Sequence, residues 1–115
     1  MDIIELEKKY EEMTGRPAPR PDVEHMRGPL LRYLVLGIQP GSFLTAALSN
    51  NFVEAFTRAD EDNTNAMRNW AYIIYSEIPT GAWGSEEKVH NWVERYGLAG
   101  VQEKQEAEEN VAAKR

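Results

Sequence analysis

Side chains able to do chemistry are present in this 115-residue chain, but few share a productive spacing. His90 and Glu94 lie four positions apart, which puts them on one helix face. A zinc site needs more converging ligands, and His25 belongs to another segment, so this pair reads as solvated surface. Asp60, Asp62 and Thr64 have the spacing of the first oxygen ligands in a calcium loop. Position six is then Asn65 rather than glycine, and position twelve is Ala71 rather than glutamate. A polar turn between helices, tied down by an Arg58–Asp62 pair, explains the run better. Nucleophilic catalysis fares no better: there is no cysteine, and none of Ser42, Ser49, Ser76 or Ser85 sits in a nucleophile elbow. Ser42 and Ser85 precede helical patterns and read as N-caps. Gly81-Ala82-Trp83-Gly84 has the wrong spacing for a phosphate cradle, although the helix start at Ser85 is a candidate anion acceptor. An acid–base pair of Asp60 with Glu77 has nothing to fix its distance. No catalytic residue, metal site or cofactor is expected.

Contact surfaces are better candidates than reactive groups. Trp70 and Trp92 fit helical core positions, whereas Trp83 lies in a glycine-flanked loop. It either plugs a gap between helices or anchors a partner. Arg58, the acids Asp60, Glu61 and Asp62, and the cap Ser85 complete the candidate binding residues. A second reading stacks a nucleotide-like signal on Trp83, with Arg58, Arg32 or Arg68 pairing with its phosphate in a small oligomeric binder.

The elements that must position these residues are helical. Ile3, Leu6, Tyr10 and Met13 recur at helical spacing over residues 1–15, ending at Gly15. This apolar face must dock on the body or on a second copy, because two heptads make no stable coiled coil alone. Residues 16–21, Arg-Pro-Ala-Pro-Arg-Pro, read as a stiff linker. Residues 22–100 form the expected core domain. Asp22 caps a short turn, Pro29 opens an almost wholly apolar central helix, and Gly37 ends it. A buried strand is the alternative for that segment. Ser42 starts a helix bearing Phe43, Leu44, Ala47 and Leu48. Asn51 starts another, in which Phe52, Phe56 and Ala59 form the apolar stripe and Glu54 completes a capping box. Met67, Trp70, Ala71, Ile74 and Ile78 mark the clearest amphipathic helix. Val89, Trp92, Val93 and Tyr96 are buried in the last, which Gly97 terminates with Leu98 folding back. The expected architecture is all-α, about five short helices plus the N-terminal one. Residues 101–115 offer only Val101 and Val111 as sizeable apolar groups and read as a flexible or partly helical tail.

The formal charge is −6, and residues 22–100 alone carry ten acids against six bases. Such a surface repels phosphate backbones, so direct nucleic-acid binding is not expected. The start, Met1-Asp2-Ile3-Ile4-Glu5, lacks the basic start and apolar run of a secretion signal, and no membrane span is visible. A cytoplasmic protein is expected.

Three motifs carry a resemblance: Gly37-Ile38-Gln39-Pro40-Gly41-Ser42-Phe43-Leu44, Glu54-Ala55-Phe56-Thr57-Arg58-Ala59-Asp60, and Trp83-Gly84-Ser85 with Trp92 and Gly97-Leu98. Across residues 30–100 the chain resembles a family of short proteins encoded by bacteriophages and prophages. The resemblance implies a bacterial host cytoplasm and a non-enzymatic accessory role, such as inhibition of a host defence or regulatory factor. An acidic domain of this kind suits a host protein's basic, nucleic-acid-binding surface, through steering that weakens with salt. A homodimer through residues 1–15 is the further partner expectation.

Overall fold

A computed structural model describes residues 1–100; the tail expected at 101–115 lies outside the described residues. The fold is all-α, with no strand among the described residues. Helix α1 spans Ile3–Thr14, α2 Arg27–Leu36, α3 Ser42–Leu48, α4 Phe52–Arg58, α5 Glu61–Asn65, α6 Met67–Glu77 and α7 Glu86–Glu94. Short 3-10 turns occupy Glu24–Met26 and Thr80–Ala82, and residues 97–100 begin a further helical turn.

Caps explain most of the boundaries. Asp2 accepts from the Glu5 amide at 2.8 Å, and Gly15 closes α1 in the left-handed region with its N–H on Glu11. Asn51 accepts from the Glu54 amide and Ser85 from the Lys88 amide. Three expected starts differ. Ser42 is the first helical residue rather than the cap, which is Gly41. Helix α2 begins at Arg27, and Pro29 sits inside its first turn, where a missing N–H costs nothing. Val23, not Asp22, precedes the first 3-10 turn, and no side chain caps it. The capping box of α4 is only half made, because the Glu54 carboxylate accepts from Arg58 Nε at 2.8 Å. That bond takes Arg58 in place of the expected pair with Asp62.

Helix α2 is the central element, with Leu30, Leu31, Tyr33, Leu34 and Val35 buried. Its polar atoms tie the last helix down. Trp92 Nε1 donates to the Tyr33 carbonyl at 2.9 Å, and the Tyr33 hydroxyl donates to the Ala82 carbonyl at 2.6 Å. Burial pushes the Tyr33 phenol well above its ordinary value, opposed by Arg95. The ends of α2 and α7 then meet backbone to backbone. A Cβ added to Gly37 would lie 2.6 Å from the Gly97 nitrogen, and one added to Gly97 would lie 2.6 Å from the Gly37 nitrogen. Both glycines have positive φ. Tyr96, expected in the core, instead takes φ 60° in the turn before Gly97 and is exposed. The chain must reverse there, and the reversal swings its side chain outward.

Helix α1 and the proline segment belong to the same body. Leu6 and Tyr10 are fully buried in the common core, with Ile3 packed against it. The Tyr10 hydroxyl reaches the Glu77 carbonyl at 3.3 Å, and Arg27 bonds both Glu7 and Glu24. Burying two such side chains is worth about 1.5–3 kcal/mol each. Burial also raises the Tyr10 phenol, with Arg16 opposing and Glu77 assisting. Pro19 and Pro21 are buried and Ala18 packs on the core, so residues 16–21 form a strap rather than a free spacer. The body therefore starts at residue 3, not at residue 22.

Candidate functional site

Helix α6 sets the site because its two faces diverge. Met67, Trp70, Ile73, Ile74 and then Ile78 face the core. Ala71, expected inside, is exposed, and Ile73 takes its place; the buried sector is rotated by that much. The anchor is Trp70, whose Nε1 donates to Asn63 Oδ1 at 2.9 Å. Asn63 is 3 % exposed and lies on α5, a helical turn where a plain polar turn was expected. The outer face then carries Tyr72 at 65 % and Tyr75 at 79 % exposure.

Helix α4 continues this apolar surface. Its only buried residue is Ala55, while Phe52, Val53 and Phe56 are exposed. The stripe expected to bury Phe52 and Phe56 thus faces outward. Helix α4 packs closely on α3, with the small Ala55 as its buried contact.

Between these helices lies a groove of about 470 Å³, lined by Ala47, Phe52, Ala71, Tyr75 and Trp83 with Asn50 at its edge. Trp83 is partly buried against the core, and its ring meets Tyr75 edge to face with centroids 6.2 Å apart. Its loop is fixed by the Gly84 amide, which donates to the Leu48 carbonyl at 2.8 Å. The indole Nε1 is buried and has no acceptor among the described residues. Trp83 thus fills a gap and also walls an open groove.

A second depression, of about 420 Å³, opens across the α3–α4 turn and is polar. Ser42, Ser49, Asn51, Glu54, Arg58 and Glu86 line it. Ser49 Oγ is buried without a partner among the described residues. Alternate residues of one turn serve the two depressions, Ser49 and Asn51 the polar cleft, Asn50 and Phe52 the groove. Asn50 makes that turn in the left-handed region, at φ 63°.

The structure therefore separates the candidate residues. Trp83 lines the groove and Arg58 the cleft, on either side of the Ser49–Phe52 turn. Arg32 lies against Gly28. Asp60 caps α5, accepting from the Asn63 amide at 2.8 Å, and meets His25 at 3.1 Å. The Asn63 hydrogen bond holds its carboxyl below the ordinary value, with His25 adding to the effect. Glu61 and Asp62 are exposed in the first turn of α5, where they favour its dipole. Ser85 is occupied as a cap, and Glu86 and Glu87 fill the positive end of α7, a poor place for an added anion. His90 and Glu94 form an exposed pair at 3.7 Å. Leu6 and Tyr10 are buried within the chain, Ile3 and Met13 partly so. Among the described residues no three histidine or carboxylate groups gather as a metal site, and no helix is long and apolar enough to cross a membrane.

Tyr72, Tyr75, Phe52, Val53 and Phe56 are the surface residues that sequence reasoning did not select. Helical spacing gives little signal in α4, because Ala55 lies only about 60° round the helix from Phe52 and about 100° from Phe56, so it does not decide which of them points inward. No family model, curated protein or solved structure matches the chain.

Proposed function

We propose that this chain is a non-enzymatic accessory protein that binds another protein through the α4–α6 aromatic face, and that its phage-like motifs place the partner in a bacterial host. Occupying that partner would inhibit a defence or regulatory factor. The observation that carries the reading is the open groove walled by Trp83 and Tyr75 and rimmed by exposed Tyr72 and Phe52. Soluble monomers rarely leave a contiguous apolar patch of this kind uncovered. Aromatic side chains of this type also dominate binding energy at protein interfaces. The pairing of Arg58 with Glu54 weighs against the nucleotide reading, which needs that guanidinium for a phosphate.

Comparative capture from a bacterial lysate tests the proposal, using the wild type and the Tyr72→Asp/Tyr75→Asp double variant. Both tyrosines are largely exposed, so the variant should keep its helical circular dichroism. A saturable protein partner is expected on the wild type, with retention at least tenfold lower on the variant, about 1.4 kcal/mol. Absence of a saturable partner, or equal retention on both proteins, rejects the reading.

A further inference from the structure

We infer that the segment seated on this surface joins a large apolar side chain to a neighbouring lysine or arginine, the first filling the groove and the second entering the polar cleft. The inference rests on the groove being a protein-binding surface and adds the chemistry of its occupant.

Proximity comes first. The ridge between the two depressions is the turn Ser49–Phe52, whose residues line them alternately. Three residue steps span at most about 11 Å. One short peptide can therefore place side chains on both sides of that ridge.

Charge comes second. The cleft holds two carboxylates and one guanidinium. Glu54 Oε1 already accepts from Arg58 Nε at 2.8 Å, so these two largely neutralise one another. Glu86 pairs with no cation among the described residues. The cleft thus keeps a surplus negative charge, and Ser42 and Ser49 add hydroxyl oxygens able to accept from an ammonium or guanidinium group. The chain's overall charge of −6 favours the same occupant at long range.

Two occupants from this chain itself fit less well. A second copy brings the same net charge of −6 to the contact. Residues 101–115 contain no aromatic residue, and four glutamates there face three bases.

The test uses dye-labelled, end-blocked ten-residue peptides and fluorescence anisotropy with the full chain. One peptide carries Leu-Phe followed by Lys-Arg-Lys in a glycine–serine background; its counterpart has glutamates in place of the three bases. At 50 mM salt the basic peptide should bind at least fivefold more tightly, and at 300 mM salt the preference should shrink. Tyr75→Asp should weaken the basic peptide about tenfold. Glu86→Lys should erase the preference for the basic over the acidic peptide while leaving binding sensitive to Tyr75. Equal binding of the two peptides, or a preference untouched by Glu86→Lys, overturns the charge pairing and leaves the groove itself standing. Binding that ignores Tyr75→Asp, or no binding of either peptide, overturns the inference. So does a dimer of the free chain in sedimentation that Tyr75→Asp dissolves, since the occupant would then be a second copy.

Discussion

Trp92 and Trp83 sit on either side of the same short loop and α7 start, yet their indoles are treated in opposite ways. Trp92 is 1 % exposed, donates from Nε1 to the Tyr33 carbonyl and carries the Arg95 guanidinium 4.1 Å over its ring. Trp83 is only partly buried, and its Nε1 is enclosed without an acceptor among the described residues. A satisfied indole N–H adds stability, whereas an enclosed and unpaired one costs about 1–3 kcal/mol. The Trp92 end of the molecule is thus organised for stability. Around Trp83, the aromatics Phe52, Tyr72 and Tyr75 stay exposed, as expected of a surface whose complement comes from outside.

The largest effect that could break this contrast lies where α2 and α7 cross. Gly37→Ala places a methyl group 2.6 Å from the Gly97 nitrogen and holds a side chain at φ 69°. The left-handed conformation alone costs about 1–2 kcal/mol. Backbone on the far side cannot yield as a side-chain tip would, so the total loss should exceed about 3 kcal/mol by urea unfolding. A loss under 1 kcal/mol would show that the crossing is loose and that the stable end is not where the structure puts it. Trp92→Phe acts on the same end with a smaller step. It removes a buried hydrogen bond to Tyr33 and part of a packed ring, a loss of about 2–3 kcal/mol in the same measurement.

These two ends were unequally legible in the sequence. Helix existence was readable because Gly15, Asn51 and Ser85 act locally, through the backbone groups that each one caps. Periodicity shows that Leu6 and Tyr10 must be covered without showing whether the body or a second copy covers them. Pro19 and Pro21 looked like linker because their chain geometry is local, while their burial depends on distant packing. The groove was the least legible feature. Phe52 and Phe56 were assigned inward because large apolar side chains usually go there. Tertiary packing instead chose Ala55, and Ala71 turned outward with Tyr72 and Tyr75. The candidate site is thus the part of the surface where hydrophobicity and burial disagree.

Trp70 offers an intermediate case that sharpens the contrast, since its satisfied indole depends on a short helix. Asn63 reaches Trp70 from α5, and α5 is started by the Asp60 carboxylate. Asp60→Ala should lower the thermal midpoint by a few degrees at pH 7, through the lost cap and a loosened Asn63. Because the folded protein holds Asp60 below its ordinary value of 3.8, the charged form is favoured in the fold. Its contribution is complete above pH 3.8 and is lost as the pH falls through the lower folded value. Thermal melts should therefore show the gap between wild type and variant closing below pH 3.8. A gap that stays constant with pH would mean that the carboxylate charge is not what holds α5.

Trp83→Phe is the smallest expected effect and the most direct test of the comparison. The substitution removes the enclosed N–H, which favours the variant, and part of the ring that contacts Tyr75 and the core, which disfavours it. These terms oppose each other, so stability should stay within about 1 kcal/mol of the wild type. The same change at Trp92 has no compensating gain, since there the N–H is already bonded. If urea unfolding gave Trp83→Phe the loss expected for Trp92→Phe, Trp83 would be a structural plug with a concealed partner for its nitrogen. Near-neutral stability together with weaker capture of a protein partner would instead place the value of the ring in the contact, through the face that walls the groove.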